Sequence, residues 1–232
     1  SYNNELMKPV CGSIYVQPST EPSYVVEFVK RVDASRAAIK KAYGSLVTSP
    51  NAEVLACSKD TNPANACNLW FDVNYGGYAT GKGGKIANDQ TAIVSSTDSL
   101  LAADYVLTHE LSHVELGART NGAWVPAWFN EGLAVYVGCF TSKNSSDNIF
   151  CKNLPKGIDD LRRLDYIWAP YVNDTGSNTA TFNRAQSTYA QSRLEVETWI
   201  NRRGGMAAVN ALLSDVRAGK SFYSSYGSLM TQ

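Results

Sequence analysis

The sequence predicts an α+β fold, with a small mixed sheet and a helix followed by a mainly helical part. Residues 1–97 contain short apolar and β-branched stretches between Gly-, Pro- and Asn-containing turns, around one long segment with helical spacing. From residue 98 onward, apolar residues recur mostly at helical spacing. We therefore expect a single domain over residues 1–232, with an α/β upper part (1–97) and a mainly helical lower part (98–232).

The N-terminal part is predicted to be one helix laid on short strands. Residues 23–43 carry apolar side chains at helical spacing, with Pro22 before them and Gly44 after them. Turn-rich and glycine-rich segments separate the remaining apolar stretches. The predicted strands are 13–17, 53–57 and 69–73, followed by a hairpin of 85–87 with 91–95.

The C-terminal part begins with a helix that Asp98 or Ser99 can cap and that we expect to end at Gly117. Pro126 favours the start of a second helix. A long irregular segment is expected over 141–181, with a short helix inside it. The predicted helices are 98–117, 127–137, 158–164, 187–202 and 205–218.

The overall composition excludes two classes of function. The 21 basic and 21 acidic residues balance, and the chain has no basic stripe of the kind that binds nucleic acid. Its longest apolar runs, such as 132–140, are too short to cross a bilayer. We expect a soluble, monomeric protein without a nucleic-acid partner or a membrane span.

The chain has five cysteines, at positions 11, 57, 67, 139 and 151. Their pairing bears on the cellular compartment in which the protein is found. Pairing Cys57 with Cys67 and Cys139 with Cys151 would close two short polar loops and leave Cys11 unpaired. These pairs, the low charge and an N-terminus that suggests processing favour a secreted or periplasmic protein. The alternative is a cytosolic protein with five reduced, mostly buried thiols.

The chain has only two histidines, His109 and His113, and Glu110 lies between them in the segment Thr-His-Glu-Leu-Ser-His. Residues four apart share one face of a helix, so both imidazoles can reach one metal ion. Glu110 is rotated by about 100° from His109 and can face a water molecule instead of the metal. This pattern predicts a zinc site with a carboxylate base. The alternative is two core histidines bonded to backbone carbonyls.

A hydrolytic zinc site takes three protein ligands and keeps one position for water. Since no other histidine exists, the third ligand must be a carboxylate or a cysteine. Glu131, on the predicted helix 127–137, follows His113 at a distance that lets the chain turn back antiparallel to the first helix.

Together, His-Glu-Leu-Ser-His at 109–113 and Trp-Phe-Asn-Glu-Gly-Leu-Ala-Val-Tyr at 128–136 resemble the gluzincin metallopeptidases. The likeness is to the bacterial peptidase MA-like proteins and to the catalytic domain of the alanyl aminopeptidases, and it spans about residues 76–230. It implies a thermolysin-like zincin fold. It further implies one catalytic Zn²⁺ held by His109, His113 and Glu131, with Glu110 as general base.

The same resemblance extends to the segment Tyr-Ala-Gln-Ser that begins at Tyr189. In the aminopeptidases the corresponding segment supplies a tyrosine that stabilises the transition state, which implies that Tyr189 donates a hydrogen bond to the oxyanion. Tyr136, Tyr166 and Tyr171 are rival candidates for this role. The alternative for Tyr189 is a tyrosine of the core or of the rim.

Two departures from the family shape the functional expectation. The chain lacks the Gly-x-Met-Glu-Asn segment that holds a substrate amino group in the aminopeptidases, which favours an endopeptidase. Val135 stands where the thermolysin branch has an aspartate that orients a histidine. By the resemblance, a peptide substrate would add as a strand along residues 86–95. The alternatives are a non-catalytic binding or structural module that retains zinc and, less favoured, hydrolysis of a non-peptide amide.

Overall fold

A computed structural model describes residues 8–11, 14–16, 22–47, 53–58, 77–81, 90–96, 100–141, 149–168 and 179–232. The chain forms two compact units, Ser1–Asn121 and Gly122–Gln232. Helices dominate the described residues, and the strands form one mixed sheet in the first unit. No helix among the described residues combines the length and the apolar character needed to cross a lipid bilayer.

The described part of the first unit contains five strands and two long helices. The sheet order is β1-β2-β3-β5-β4, with β3 parallel to both of its neighbours and with antiparallel pairs at the two ends. The edge strand β4 is therefore antiparallel to β5. The elements are β1 Lys8–Cys11, β2 Ile14–Val16, α1 Pro22–Tyr43, β3 Glu53–Ser58, β4 Gly77–Gly81, β5 Gln90–Ser96 and α2 Leu100–Thr120.

The strand predictions are confirmed in part. The predicted strand 53–57 is β3, and 91–95 is β5, but the antiparallel partner of β5 is β4, in a stretch where glycines suggested a break. Glycine is tolerated in this strand because, among the described residues, β4 lies at the edge of the sheet and pairs on one side only. The predicted strands 69–73 and 85–87 lie outside the described residues.

The position of β5 also corrects the expected substrate strand. We expected residues 86–95 to accept a peptide, but β5 is paired with β3 along one side and with β4 along the other. Both backbone edges of β5 are therefore used within the sheet, so the expectation is wrong for residues 90–95, whereas residues 86–89 lie outside the described residues. The strand at that end of the sheet is β4.

Helix α2 is longer at its C-terminal end than predicted, because Gly117 does not stop it. The Thr120 hydroxyl donates to the Leu116 carbonyl at 3.0 Å, so the last turn continues. The chain then leaves the helix at Asn121 and Gly122, whose φ angles are 51° and 75°. Two consecutive residues in the left-handed region end an α-helix. The proposed caps, Asp98 and Ser99, lie outside the described residues.

Where the structure describes it, the second unit has four helices and two short 3₁₀ turns. The predicted short helix at 158–164 is one of these turns, Leu161–Leu164, and α3 runs four residues beyond its predicted end. The helix predicted at 205–218 is confirmed, whereas α6 was not predicted. The elements are α3 Ala127–Thr141, turns Ile149–Cys151 and Leu161–Leu164, α4 Thr179–Arg202, α5 Met206–Arg217 and α6 Phe222–Tyr226.

Helix α4 begins at Thr179, eight residues before the predicted start at residue 187. Its first turns are rich in Thr, Asn and Gln and lack an apolar stripe. The periodicity of apolar residues therefore did not predict a helix there. Close packing accounts for this part of the helix instead. A Cβ atom on Gly157 would lie 2.6 Å from the carbonyl oxygen of Arg184 and 2.2 Å from the hydroxyl of Thr188. The backbone at Gly157 therefore rests directly on the first half of α4.

Aromatic side chains form the core of the second unit. The rings of Trp199 and Tyr226 stack with centroids 4.9 Å apart, and the Trp199 indole donates to the Tyr226 carbonyl at 2.9 Å. The fully buried carboxylate of Glu195 accepts hydrogen bonds from the backbone of Met230 at 2.7 Å and of Thr231 at 2.8 Å, and from the Tyr226 hydroxyl. The residues after α6 are thereby tied to α4.

The cysteine predictions are confirmed where the structure describes them. Cys139 on α3 is bonded to Cys151, with their Cα atoms 5.6 Å apart. Cys11 is exposed and not disulfide-bonded. Cys57 lies in β3, but its predicted partner Cys67 lies outside the described residues.

Candidate metal centre

The two histidines face each other on α2. The Nε2 atoms of His109 and His113 are 3.1 Å apart, and the rings meet edge to face with centroids 4.8 Å apart. Two nitrogens bound to one tetrahedral zinc ion at 2.0–2.1 Å would be separated by about 3.3 Å. The pair therefore has the spacing that a shared zinc ion requires.

Buried polar contacts hold the neighbouring side of α2 against α1. The Thr108 hydroxyl donates to the Ser35 hydroxyl at 3.2 Å, and the hydroxyls of Tyr43 and Ser112 are also 3.2 Å apart. Burial, with a contribution from the charge of nearby Glu115, raises the pKa of Tyr43 well above its usual value. These contacts keep the helix in a defined rotation relative to its neighbour.

One turn further along α2, Glu115 is fully buried and fixes the segment that follows α1. Its carboxylate accepts from the Val47 backbone at 2.7 Å and from the Arg119 guanidinium at 3.0 Å. Arg119 also donates to the Ser45 carbonyl at 3.0 Å and lies over the ring of Tyr43. A helix held in this way presents its histidines on a rigid support, as a metal site needs.

Tyr105 lies one turn before His109 and reaches the second nitrogen of its ring. The Tyr105 hydroxyl is 3.5 Å from Nδ1 of His109, the outer limit of a hydrogen bond. An imidazole that binds metal through Nε2 keeps a proton on Nδ1 and donates it to a nearby acceptor. Sequence reasoning missed Tyr105, although its i−4 spacing from His109 was visible.

Glu110 is also buried, with 7% of its surface exposed. Its carboxylate oxygen lies 4.0 Å from Nε2 of His109, next to the nitrogen that would bind a metal and beyond hydrogen-bond distance from it. At this position, the Glu110 carboxylate could act on a molecule bound between it and the ring of His109.

Glu131 lies in the first turns of α3. Helix α3 begins after Pro126, whose carbonyl accepts from the backbone of Phe129 and Asn130 at 3.1 and 3.0 Å. By residue type, His109, His113 and Glu131 offer two imidazole nitrogens and a carboxylate oxygen as ligand atoms. Two imidazoles and a carboxylate are a common donor set for catalytic zinc, so the residues fit that ion.

The glycine after Glu131 allows close packing of α3 on α4. A Cβ atom on Gly132 would lie 2.4 Å from the carbonyl oxygen of Ser192 and 2.9 Å from a methyl carbon of Val196. No side chain fits between these backbones. The contact therefore explains why the sequence Asn-Glu-Gly has glycine at this position.

Tyr189 lies on α4, and its ring contacts two other aromatic side chains. The ring centroids of Phe150 and Trp168 are 5.1 and 4.8 Å from that of Tyr189. The Trp168 indole donates to the Tyr189 oxygen at 3.1 Å. Tyr189 is half-buried, so its hydroxyl is neither in a dry core nor at an open surface.

The rival tyrosines differ from Tyr189 in their surroundings. Tyr136 is half-buried and stacks on Phe140, and burial raises its pKa. Tyr166 is 78% exposed and stacks on Trp124. Tyr171 lies outside the described residues.

Comparison with known proteins gives no independent assignment of this site. No model of a protein family matches the sequence, and no curated protein matches it.

Proposed function

We propose that the chain is a zinc-dependent endopeptidase of the gluzincin type. In this proposal His109, His113 and Glu131 hold one Zn²⁺, Glu110 is the general base and Tyr189 is a hydrogen-bond donor. The observation that carries it is the 3.1 Å spacing of the two imidazole nitrogens, with a buried carboxylate beside them. The carboxylate of Glu131 supports it as well, because catalytic zinc commonly takes a carboxylate beside two imidazoles.

The reaction follows from what each group can do. Zinc would supply a Lewis acid that polarises the scissile carbonyl and lowers the pKa of a water molecule to about 7. Glu110 accepts the proton of the attacking water and then delivers it to the leaving amine. Tyr189 donates a hydrogen bond to the oxygen that becomes negatively charged.

We further propose a thermolysin-like zincin fold, in which the peptide lies along the edge of the sheet. In the first unit, α2 packs against both β5 and the edge strand β4. An edge strand has unpaired backbone groups along one side, and an extended peptide can pair with them. In this proposal the peptide pairs with Gly77–Gly81, in place of the strand that we first expected.

The proposed location is extracytoplasmic. The Cys139–Cys151 disulfide supports it, because disulfides persist in oxidising compartments and are rare in the cytosol. Fractionation of cells that produce the full-length protein tests this location directly, and recovery with the cytosolic proteins would contradict it.

The proposed activity is tested with a library of quenched fluorogenic peptides. We expect the zinc-loaded protein to cleave internal peptide bonds, to lose this activity with a zinc chelator, and to regain it when zinc is added back. His109→Ala, prepared in parallel, controls for a contaminating peptidase. Stoichiometric zinc without cleavage of any peptide would instead favour a non-catalytic module, and cleavage that survives removal of all metal would refute the zinc mechanism.

A further inference from the structure

The turn that follows α2 contains the only Asn-Gly pair in the sequence, Asn121 and Gly122. Both residues are exposed, and their φ angles are positive, 51° and 75°. Asparagine is enriched in this region of backbone conformation, and glycine adopts it freely. The backbone geometry of the turn therefore accounts for these two residue types.

An asparagine followed by a glycine can modify itself. The backbone nitrogen of the glycine, after losing its proton to a solvent base, attacks the side-chain carbonyl carbon of the asparagine. The bond from this carbon to the amide nitrogen breaks, and that nitrogen takes up a proton from water and leaves as ammonia. The product is a five-membered succinimide ring. Since glycine has no Cβ atom, it hinders this attack less than any other residue.

Water then opens the succinimide ring at one of two bonds. Breaking the new bond between the ring nitrogen and the former side-chain carbonyl carbon leaves an ordinary aspartate. Breaking the original backbone bond leaves isoaspartate, in which the main chain continues through the side-chain carboxyl carbon. Either route consumes one water molecule and releases one ammonia molecule overall, so no oxidant or other co-reactant is needed.

The hydrogen bonds of the turn leave the reacting groups available. The Asn121 backbone N–H donates to the Ala118 carbonyl at 3.3 Å, a contact that uses neither the Asn121 side chain nor the Gly122 nitrogen. Within the described ranges, no hydrogen bond involves the Asn121 side-chain amide or the Gly122 N–H. The Gly122 nitrogen therefore needs no release from a hydrogen bond before it reacts.

Two asparagines in helices provide a contrast. Asn130 lies in α3 and precedes Glu131, and the exposed Asn201 lies in α4 and precedes Arg202. In an α-helix the following backbone N–H is held by a carbonyl one turn earlier. The side chain of that following residue also hinders the attack. These two asparagines should therefore be protected as long as the helices persist.

We infer that Asn121 is a site of spontaneous deamidation in the folded protein, through attack by the backbone nitrogen of Gly122. The reaction involves two consecutive residues and solvent, so it is independent of the proposed zinc site and of peptidase activity. Its products place a carboxylate directly after Thr120, the last residue of α2. The C-terminal end of a helix carries partial negative charge, which disfavours an anion there.

The inference is tested by incubating the full chain at mildly alkaline pH, in buffer and in urea, and following its tryptic peptides by mass spectrometry. Cleavage after Arg119 and Lys143 gives one peptide that contains both Asn121 and Asn130, so the two sites are compared in one spectrum. A sample taken before incubation gives the background of the digestion.

We expect Asn121 in the native protein to convert within about tenfold of its rate in urea, because an exposed turn requires no prior opening of structure. Asn130 and Asn201 should stay unmodified in the native protein. A native rate at Asn121 below this range would show that the fold protects the site and would overturn the inference.

A variant assigns the product to this position. Asn121→Gly removes the reacting carbonyl and keeps a residue that tolerates a positive φ angle. Labelling with an isoaspartyl methyltransferase should increase during incubation of the wild-type protein and should not increase in Asn121→Gly. Asn201→Gln is the matched control and should be labelled like the wild-type protein. Undiminished labelling of Asn121→Gly would place the modification elsewhere and contradict the inference.

Discussion

The backbones of Gly132 and Ser192 are in direct contact. A Cβ atom on Gly132 would lie 2.4 Å from the carbonyl oxygen of Ser192 and 2.7 Å from its carbonyl carbon. This contact lies one residue after Glu131 on α3 and three residues after Tyr189 on α4. Two of the proposed site residues are therefore positioned by one point of close helix packing.

We predict that Gly132→Ala destabilises the protein by about 1–3 kcal/mol, because the added methyl group forces two helices apart. In an exposed helix, replacing glycine by alanine stabilises the protein by about 1 kcal/mol. The change in the free energy of unfolding expected for Gly132→Ala therefore has the opposite sign. Urea denaturation measures the change, with the exposed helical position Ser214→Ala as the control. A gain in stability for Gly132→Ala would show that the helices adjust freely.

Glu131→Ala should reduce zinc binding, because two imidazoles alone leave the ion without its carboxylate ligand. The measurement is the zinc content after dialysis, by elemental analysis, compared with the wild-type protein. Glu27→Ala removes a carboxylate that pairs with Lys30 at 3.6 Å on the surface, and it should leave the zinc content unchanged. Retention of one zinc ion per chain in Glu131→Ala would show that another residue is the third ligand.

Glu110→Gln should retain the zinc ion and the fold but nearly abolish turnover. The amide keeps the size of the side chain and loses the ability to accept a proton from water. Zinc content, circular dichroism and peptide cleavage are measured on the same preparation. Full activity of this variant would rule out Glu110 as the base.

Tyr189→Phe should lower kcat by about 10²- to 10³-fold, the usual cost of removing one donor to an oxyanion. The phenyl ring preserves the packing against Phe150 and Trp168, so the fold should persist. Tyr166→Phe and Tyr136→Phe test the two rivals that the structure describes. A larger loss of kcat in either of them would transfer the role to that tyrosine.

The protein should lose stability as the pH rises above about 10, where tyrosines ionise in the unfolded chain. Burial raises the pKa of Tyr43, and burial together with Glu195 raises that of Tyr226. A raised pKa keeps these phenols neutral in the folded state. Their contribution to the free energy of unfolding is therefore complete below pH 10 and is lost above it. The free energy of unfolding from pH 8 to 11 measures the slope, and Tyr43→Phe should flatten it. A slope unaltered by this variant would contradict the prediction for Tyr43.

Features that depend on neighbours along the chain were predicted well. Helix α1 and the spacing of His109 and His113 follow from the 3.6-residue period, which places residues four apart on one face. The Cys139–Cys151 disulfide closes a short loop, so the short separation of the two cysteines in the sequence was enough to predict their pairing. These predictions required no knowledge of how distant segments meet.

Features that depend on distant segments were missed. Strand β4 has no alternating pattern and exists through its pairing with β5. The polar start of α4 is helical where Gly157 packs on it. The contact between Trp168 and Tyr189 joins residues far apart in the sequence, so no local pattern could indicate it.

By itself, the sequence determined that two imidazoles and the carboxylate of Glu110 lie on one helix, because helical geometry is set by local backbone sterics. The tertiary structure decided which strand lies at the sheet edge, how α3 and α4 meet at Gly132, and which donor reaches Tyr189. These three features depend on burial and hydrogen bonding between segments that are distant in the chain. The energies of such contacts cannot be read from any one segment alone.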